Sequence, residues 1–524
     1  MRGALSSATT RRAALRTLGL WSTVGAGAAL LAACGGAVAA TTTATSASST
    51  AQPAASLVAT PATASVAGST TATAAAVTSA ATSSAALSTS SAATSSAAVS
   101  TSSATASVAA AVSAPTSAGV QLNFLHWFTV AISPNHPLYM AWAFDQFKQM
   151  TGITVNPIEA KPANDTYQKF IASALAGDPP DASFTSVIYG RDMYDQGLLA
   201  DQDSYIAKAP DVQDNQYFDA SRQFRQASGH TFGLPVLGPE SLCFGINQDL
   251  FQAAGLDPKG ADVKTWDDLV RVGQKLTKVG ADGKVAVAGV ATPDDLDLAT
   301  FTGFVESTGH SLYDAEQNTA YFNAPETMAA LQYLVDLAGK DNVAPPLAQK
   351  GRQSGEAALA SGTAAMEFDE SAMGVFATIT KATNLKWWMV PYPQGPGGKS
   401  QSTVTWTNFT VMPKNGKHPA GAFEWLRFFS GHAAVVKKLE MLNAVSPRLD
   451  LYTTPQWANV VQKLAPQARV PEIAQLPGVY PYHHNVDQGK QIGPLLSKAY
   501  SGQMDVKSAL DEAQRLANTI FAAK

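Results

Sequence analysis

Cysteine is nearly absent: the 524 residues hold two, Cys34 and Cys243. Cys34 lies in a processing signal, so the mature globular part has no pair with which to form an internal disulfide. Charge is missing from a long stretch, with no Asp, Glu, Lys or Arg from Thr17 through Phe144. Aromatic rings are missing between Trp21 and Phe124. A segment without large or charged side chains cannot bury enough surface to offset its chain entropy. Basic excess is missing too: 36 Lys and Arg stand against 40 Asp and Glu, a formal net charge of −4, which argues against a nucleic-acid partner. The apolar run 17–31 falls short of the roughly 20 residues that a spanning helix needs.

Catalytic signatures are also lacking. There is no Gly-x-Ser-x-Gly elbow and no His-Glu-x-x-His pair. Gly395-Pro396-Gly397-Gly398-Lys399-Ser400 lacks the first glycine of a phosphate loop and reads as a surface turn. Asp294, Asp295 and Asp297 offer an acid–base pair, but they stand just before a helix, where N-capping explains them. His483 and His484 are adjacent on a loop and point apart, a poor start for a metal site. Cys243 falls on an apolar strand and reads as an inert core thiol. No enzyme activity, metal or cofactor is expected.

What is present begins with an address. Arg2, Arg11, Arg12 and Arg16 precede the apolar run, and Leu31-Ala32-Ala33-Cys34 follows it. This reads as a secretory signal, residues 1–34. The last four residues resemble a bacterial lipobox, which implies lipidation of Cys34 and anchoring to the outer face of the cytoplasmic membrane without a spanning helix. The stretch around Arg11-Arg12 resembles a twin-arginine export signal with Ala14 in place of the usual Phe, and the export route is left open between the twin-arginine and general pathways. Residues 35–118, almost all Ala, Ser, Thr, Val and Gly, are expected to be a disordered tether reaching roughly 50 Å as a flexible coil.

From Val120 onward apolar periodicity returns. A strand at 120–127, a helix at 138–150, a strand at 153–158, a helix at 167–175 capped by Asp165 or Thr166, and a strand at 182–187 give β-α-β-α-β order. That order predicts a mostly parallel sheet with both faces covered. Further strands are expected at 241–246, 285–291, 385–391 and 404–412. Helices are expected at 298–307, 325–337, 419–430 and 503–523. Asn247 and Thr265 stand where N-caps belong, with Asp267 and Asp268 in the first turn after Thr265.

Residues 231–269 carry the clearest resemblance. Gly233-Leu234-Pro235, an apolar strand, Ile246-Asn247-Gln248-Asp249-Leu250-Phe251, Ala254-Gly255-Leu256 and Thr265-Trp266-Asp267-Asp268-Leu269 follow in order. This passage resembles the hinge-to-second-lobe segment of the extracellular solute-binding proteins of ABC importers, in their sugar-binding, maltose-binding-protein-like branch. Ile246 and Gln248 stand where that family usually has Tyr and Lys. Ser361-Gly362-Thr363-Ala364-Ala365-Met366 resembles the family's turn into a strand before the ligand. The family's Trp shortly after it is absent, with Ala372 and Met373 instead.

The resemblance implies a type II periplasmic-binding-protein-like α/β fold, two lobes joined by a hinge after the tether. The expected division is 119–236 for the first lobe, 237–389 for the second, 390–430 returning to the first, and 431–524 as C-terminal helices of the second. It implies a lipid-anchored monomer that captures a carbohydrate by hinge closure and delivers it to an ABC permease. A polyol, phosphodiester or peptide on the same scaffold is the alternative; an anchored polysaccharide hydrolase is the more distant one.

Sugars need rings for their C–H faces and fixed partners for their hydroxyls. The resemblance places Glu240 at a sugar-contacting position, Thr185 and Tyr189 on a cleft loop after the third strand, and Asp369 and Glu370 after the Met366 turn. His484 falls in a C-terminal region where the family contributes contacts. Trp127 ends the first strand, where ligands gather in open α/β sheets, or is a core ring. Trp406 and Asn408 alternate on one strand and share a face, which is either core or cleft end. Trp387, Trp388 and Trp425 are assigned to packing.

Overall fold

The chain from Gly119 opens on a strand whose side chains alternate between surface and interior. It is seen in a computed structural model that describes residues 119–522, apart from 162–163, 224, 315–316, 318, 350, 352, 354, 370–383 and 477–484. The signal 1–34 and the tether 35–118 lie outside the described residues.

Strand β1 (Gln121–His126) leads to helix α1 (His136–Thr151), strand β2 (Thr154–Glu159), helix α2 (Asn164–Leu175), strand β3 (Ala182–Ser186) and helix α3 (Val187–Asp195). β1 pairs in parallel with β2, Leu122 opposite Val155, and with β3, Phe124 opposite Ala182. Gly152, at φ 74°, ends α1 in the left-handed conformation that favours glycine. The start of α2 differs from expectation. Asn164 is already helical, and Asp165 instead accepts the Lys161 N–H at 2.8 Å.

Strand β4 (Gly233–Ser241) passes directly into strand β5 (Cys243–Asn247) of a different sheet. Asn247 caps the short helix after it, its Oδ1 accepting from Leu250 N at 3.1 Å. Thr265 forms a full capping box with Asp268 at the head of helix α4 (Trp266–Leu276). Helix α5 (Leu298–Glu306) follows, then strands β6 (Met366–Asp369) and β7 (Trp387–Val390), which flank β5 antiparallel on either side.

The strand expected over 285–291 is regular only at Val285–Val287. Beyond it the chain keeps isolated parallel bridges to the β6 approach, Ala288 with Ala364 and Ala291 with Glu367. The cause is a close crossing. A Cβ added at Gly289 would lie 2.0 Å from the carbonyl oxygen of Gly273 in α4, so only glycine lets the two backbones meet.

Strand β8 (Thr405–Val411) then returns to the first sheet and inserts antiparallel between β3 and β4, giving the order β2-β1-β3-β8-β4. Helix α6 (Pro419–Ser430) closes that sheet's core. Trp425 is fully buried against Phe124, Phe144, Phe147 and Phe429, with ring centroids 5.2 to 5.5 Å away. Burying a side chain of this size contributes on the order of 3 kcal/mol. Trp387 is likewise buried, and Trp388 lies under the Lys259 ammonium, 5.3 Å from the ring centroid.

Helix α7 (His432–Leu442), grouped by sequence with the second lobe, packs on α1 of the first sheet. Three bonds from two buried side chains explain this. The Tyr139 hydroxyl donates to Ala434 O, and the buried Lys438 ammonium donates to Val236 O and Phe429 O. The chain ends in helices α8 (Asn485–Gln491), α9 (Gly493–Tyr500) and α10 (Val506–Ala522), the last two packed in the core around β5, α4 and α5. Each sheet therefore has its own apolar core, built about Phe124 and Trp425 in the first and about Phe244 and Phe304 in the second.

Candidate functional site

The two sheets are joined where β4 becomes β5, where β7 leads to β8, and at the segment after α7. The first two crossings are bonded to each other. Leu242 N donates to Val404 O at 2.8 Å, the Thr403 hydroxyl donates to Leu242 O at 2.7 Å, and the Ser241 and Thr405 hydroxyls lie 2.9 Å apart. All five residues are buried. The third crossing is attached by Gly238 N to Val445 O. Paired extended segments of this kind hold the sheets in register while leaving few bonds to change on rotation.

Around this junction the structure collects part of the expected set. Glu240, which the expected division put at the start of the second lobe, lies in β4 of the first sheet, opposite Trp406 of β8. Strand pairing with β8, which arrives 165 residues later by sequence number, extends β4 through it. Trp406 is half-buried and touches apolar clusters belonging to both sheets. Asn408 is 6% exposed and sits opposite Ser186 and Leu237. Asp369 ends β6 opposite Cys243, so Glu240 and Asp369 flank the same crossing from the two sheets. The side chains of Glu240 and Asp369 lie outside the described residues, as do Glu370 and His484 altogether.

Two expectations change. Thr185 is 1% exposed, inside the sheet, where its hydroxyl bonds to Ser186 O at 3.4 Å; it offers nothing to a cleft in this conformation. Tyr189 lies in helix α3, not on a loop, because Ser186 acts as an N-cap directly at the end of β3. Its half-buried ring stacks on Tyr167, centroids 4.6 Å apart at 24°. Burial, and then the charge of Asp192, push the Tyr189 hydroxyl pKa up, so it remains a neutral donor.

Trp127, half-buried at the end of β1, packs edge-on against Phe184 at 4.5 Å. Beside it His126 is buried, its Nδ1 accepting from Phe128 N, and burial followed by the charge of His136 lowers its pKa to about 4. It is neutral at physiological pH.

Helix α8, anchored beside the second core by the 2.6 Å bond between Tyr313 and Gln488, also lies against α3 of the first sheet. The sheets thus meet away from the crossings, on the side where Tyr189 stands. Next to α8, a cavity of about 700 Å³ opens between the loop before α5 and helix α9, with Asp294, Asp295, Asp297, Ser497, Lys498 and Gln503 in its lining. Their place just before α5 predicts a capping role. Asp297 does cap α5, accepting from Thr300 N and Thr300 Oγ1, each at 2.8 Å. The cavity itself depends on α9, some 200 positions further on, which no local pattern announces. Among the described residues no cluster of three metal-ligating side chains occurs, and no helix is long and apolar enough to cross a membrane.

Comparison with known proteins agrees with this architecture. The sequence family described as bacterial extracellular solute-binding protein matches residues 133–436. The arabinooligosaccharide-binding protein of Bacillus subtilis (strain 168) is 27% identical over 304 residues, 56% of this chain and 66% of that protein. A protein named as a probable amino-acid ABC transporter periplasmic-binding protein, from Sinorhizobium fredii, is 28% identical over 200 residues, 38% of this chain and 45% of that one. The chain thus spans just under two thirds of the first relative's length and less than half of the second's. Among solved structures, an ABC substrate-binding protein from Listeria monocytogenes in complex with cycloalternan superposes with a TM-score of 0.62 at 19% identity. That match covers 77% of this chain and all of the other, and it shows a shared fold.

Proposed function

We propose that this chain, which belongs to the bacterial extracellular solute-binding protein family, captures a carbohydrate between its two sheets and hands it to an ABC importer permease. The observation that carries the reading is the junction itself. Two crossings are bonded side by side, with Trp406 against both cores and α8 reaching α3 on another side. Such a body can open about its crossings and close on a solute, excluding water from the polar groups that fix it. The relative named for arabinooligosaccharides supports an oligosaccharide as the solute.

In this reading Trp406, Trp127 and Tyr189 offer ring faces, and Glu240, Asp369, Glu370, Asn408 and His484 offer hydrogen bonds. Thr185 takes part only if opening exposes it. Capture requires no bond to be made or broken. Cys34 carries the lipid anchor, and the tether 35–118 lets a monomeric receptor reach its permease outside the cytoplasmic membrane. The lobes divide at the crossings near residues 242 and 404 and after α7, later in each case than the expected bounds of 236, 389 and 430, because β4 stays in the first sheet through Ser241, Tyr392 and Val404 belong to the second core and α7 packs on α1.

Calorimetry with a panel of pentose and hexose oligosaccharides, paired with small-angle scattering, tests the proposal. Binding accompanied by a smaller radius of gyration is expected. Heat from amino acids or peptides, and none from any saccharide, would overturn the carbohydrate assignment in favour of a non-sugar solute, the reading that the Sinorhizobium relative supports.

A further inference from the structure

His126 ends β1 and is buried among rings. Phe124 stacks on it with centroids 5.3 Å apart at 29°, and Phe128 and Phe144 each lie 6.3 Å away. A phenylalanine would fill such a place without burying a polar atom. Histidine brings two. Nδ1 accepts from Phe128 N at 3.1 Å, which leaves the single proton of the neutral ring on Nε2. That Nε2 is buried and has no hydrogen-bond partner among the described residues. Packing alone therefore disfavours histidine here, and the Nδ1 bond is what the residue contributes that a phenyl ring cannot.

The bond spans one residue, and that residue is Trp127. It closes a turn from a side chain to the backbone N–H two positions on, the kind that Asn side chains make at bends. The turn sets the direction in which the chain leaves β1. Further bonds continue it, with Thr129 N donating to Trp127 O at 2.9 Å and Ile132 N to Thr129 O at 3.1 Å. Phe184 of β3 then holds both neighbouring rings, Trp127 at 4.5 Å and Phe128 at 4.8 Å. Phe128 is buried, whereas Trp127 stays half-buried. The backbone of Trp127 is thus fixed by His126 and its ring by Phe184, at the carboxyl end of a strand in an open α/β sheet.

We infer that His126 is a positioning residue for solute capture: its Nδ1 bond to Phe128 N sets the Trp127 ring in place for the face of a saccharide. The inference rests on the carbohydrate reading above and adds what prepares one of its rings. A ring already fixed has less freedom to lose on binding, so releasing it is expected to weaken affinity about tenfold.

The test is calorimetry on the full chain with arabinotriose and maltotriose, and with whichever further oligosaccharide of the panel binds. His126→Leu is expected to bind about tenfold more weakly than the parent. His126→Asn, whose Oδ1 can accept from Phe128 N in the same turn, is expected to recover most of that loss. Trp127→Ala also weakens binding, and adding His126→Leu to it is expected to cost nothing further. His126→Phe keeps a ring against Phe124 and Phe144 but has no acceptor, and it is expected to repeat the loss even where the leucine variant does not fold. Undiminished affinity in a folded His126→Leu or His126→Phe protein overturns the positioning role while leaving saccharide capture intact. So does a loss that asparagine fails to repair, or one that persists in full beside Trp127→Ala. Silence from every saccharide overturns the carbohydrate reading and this inference with it.

Discussion

The hydroxyls of Ser241 and Thr405 lie 2.9 Å apart, one at the last residue of β4 and the other at the first of β8, where two separate passages of the chain cross between the sheets. Both residues are buried, so neither hydroxyl has water as a ready substitute partner. Ser241→Ala or Thr405→Val is expected to cost about 1 kcal/mol each, with the double variant costing clearly less than the sum. Urea unfolding of the four proteins measures the cycle. Strict additivity would mean that the pair does not interact.

The crossing of Gly289 over Gly273 permits no side chain. Gly289→Ala is expected to destabilise the protein by about 3 kcal/mol, since a rigid backbone carbonyl, rather than a flexible side chain, blocks the new methyl. Gly339→Ala, at the end of the helix Pro325–Gly339 with nothing near its added Cβ, serves as the control and is expected to stay within about 0.5 kcal/mol of the parent. A shift of denaturation midpoint at Gly289 no larger than at Gly339 would contradict the close approach.

Lys438 is fully buried, hydrogen-bonded to two carbonyls and 4.5 Å from the Phe429 ring centroid. Burial holds its pKa well below the ordinary lysine value. The unfolded chain therefore binds a proton that the folded one releases, in the window between the folded pKa and about 10.4. Across that window this residue's contribution to stability rises with pH. Lys438→Met is expected to be at least as stable as the parent at pH 7, with its advantage shrinking toward pH 10. Parallel unfolding curves at several pH values check this, and a gap that widens with alkalinity would refute it.

Asp297→Ala removes the acceptor for Thr300 N and Thr300 Oγ1 at the start of α5. A loss of about 1 kcal/mol is expected, with Asp297→Asn retaining most of the stability. Differential scanning calorimetry distinguishes this capping role from a purely surface charge, which either variant would remove without effect.

Much of the fold was legible because it is written locally. The caps at Asn247 and Thr265 need only residues three positions away, and helix α6 over Pro419–Ser430 follows from Pro, periodicity and Gly431. What was misread depends on distant partners. Glu240 reads as a second-lobe residue until β8 arrives to hold β4 in the first sheet through it, and the strand expected over 285–291 breaks because Gly273 lies beneath Gly289. Tyr189 became helical because Ser186 caps within two residues of the strand end, a turn too tight for a loop to be inferred or excluded from composition. Thr185 illustrates the limit for the site: strand periodicity gives its face, but whether that face is covered depends on Phe409 and its neighbours more than 200 positions away.

The insertion of β8 between β3 and β4 also dictates an order of assembly. A chain growing from its N-terminus has made both neighbours long before the strand that separates them, and until residue 411 is available each keeps an open edge. Those edges are templates for pairing with the wrong molecule. A nascent or truncated form ending anywhere before β8 is therefore sticky, and whatever machinery takes this polypeptide out of the cell must either keep it unstructured or receive it whole.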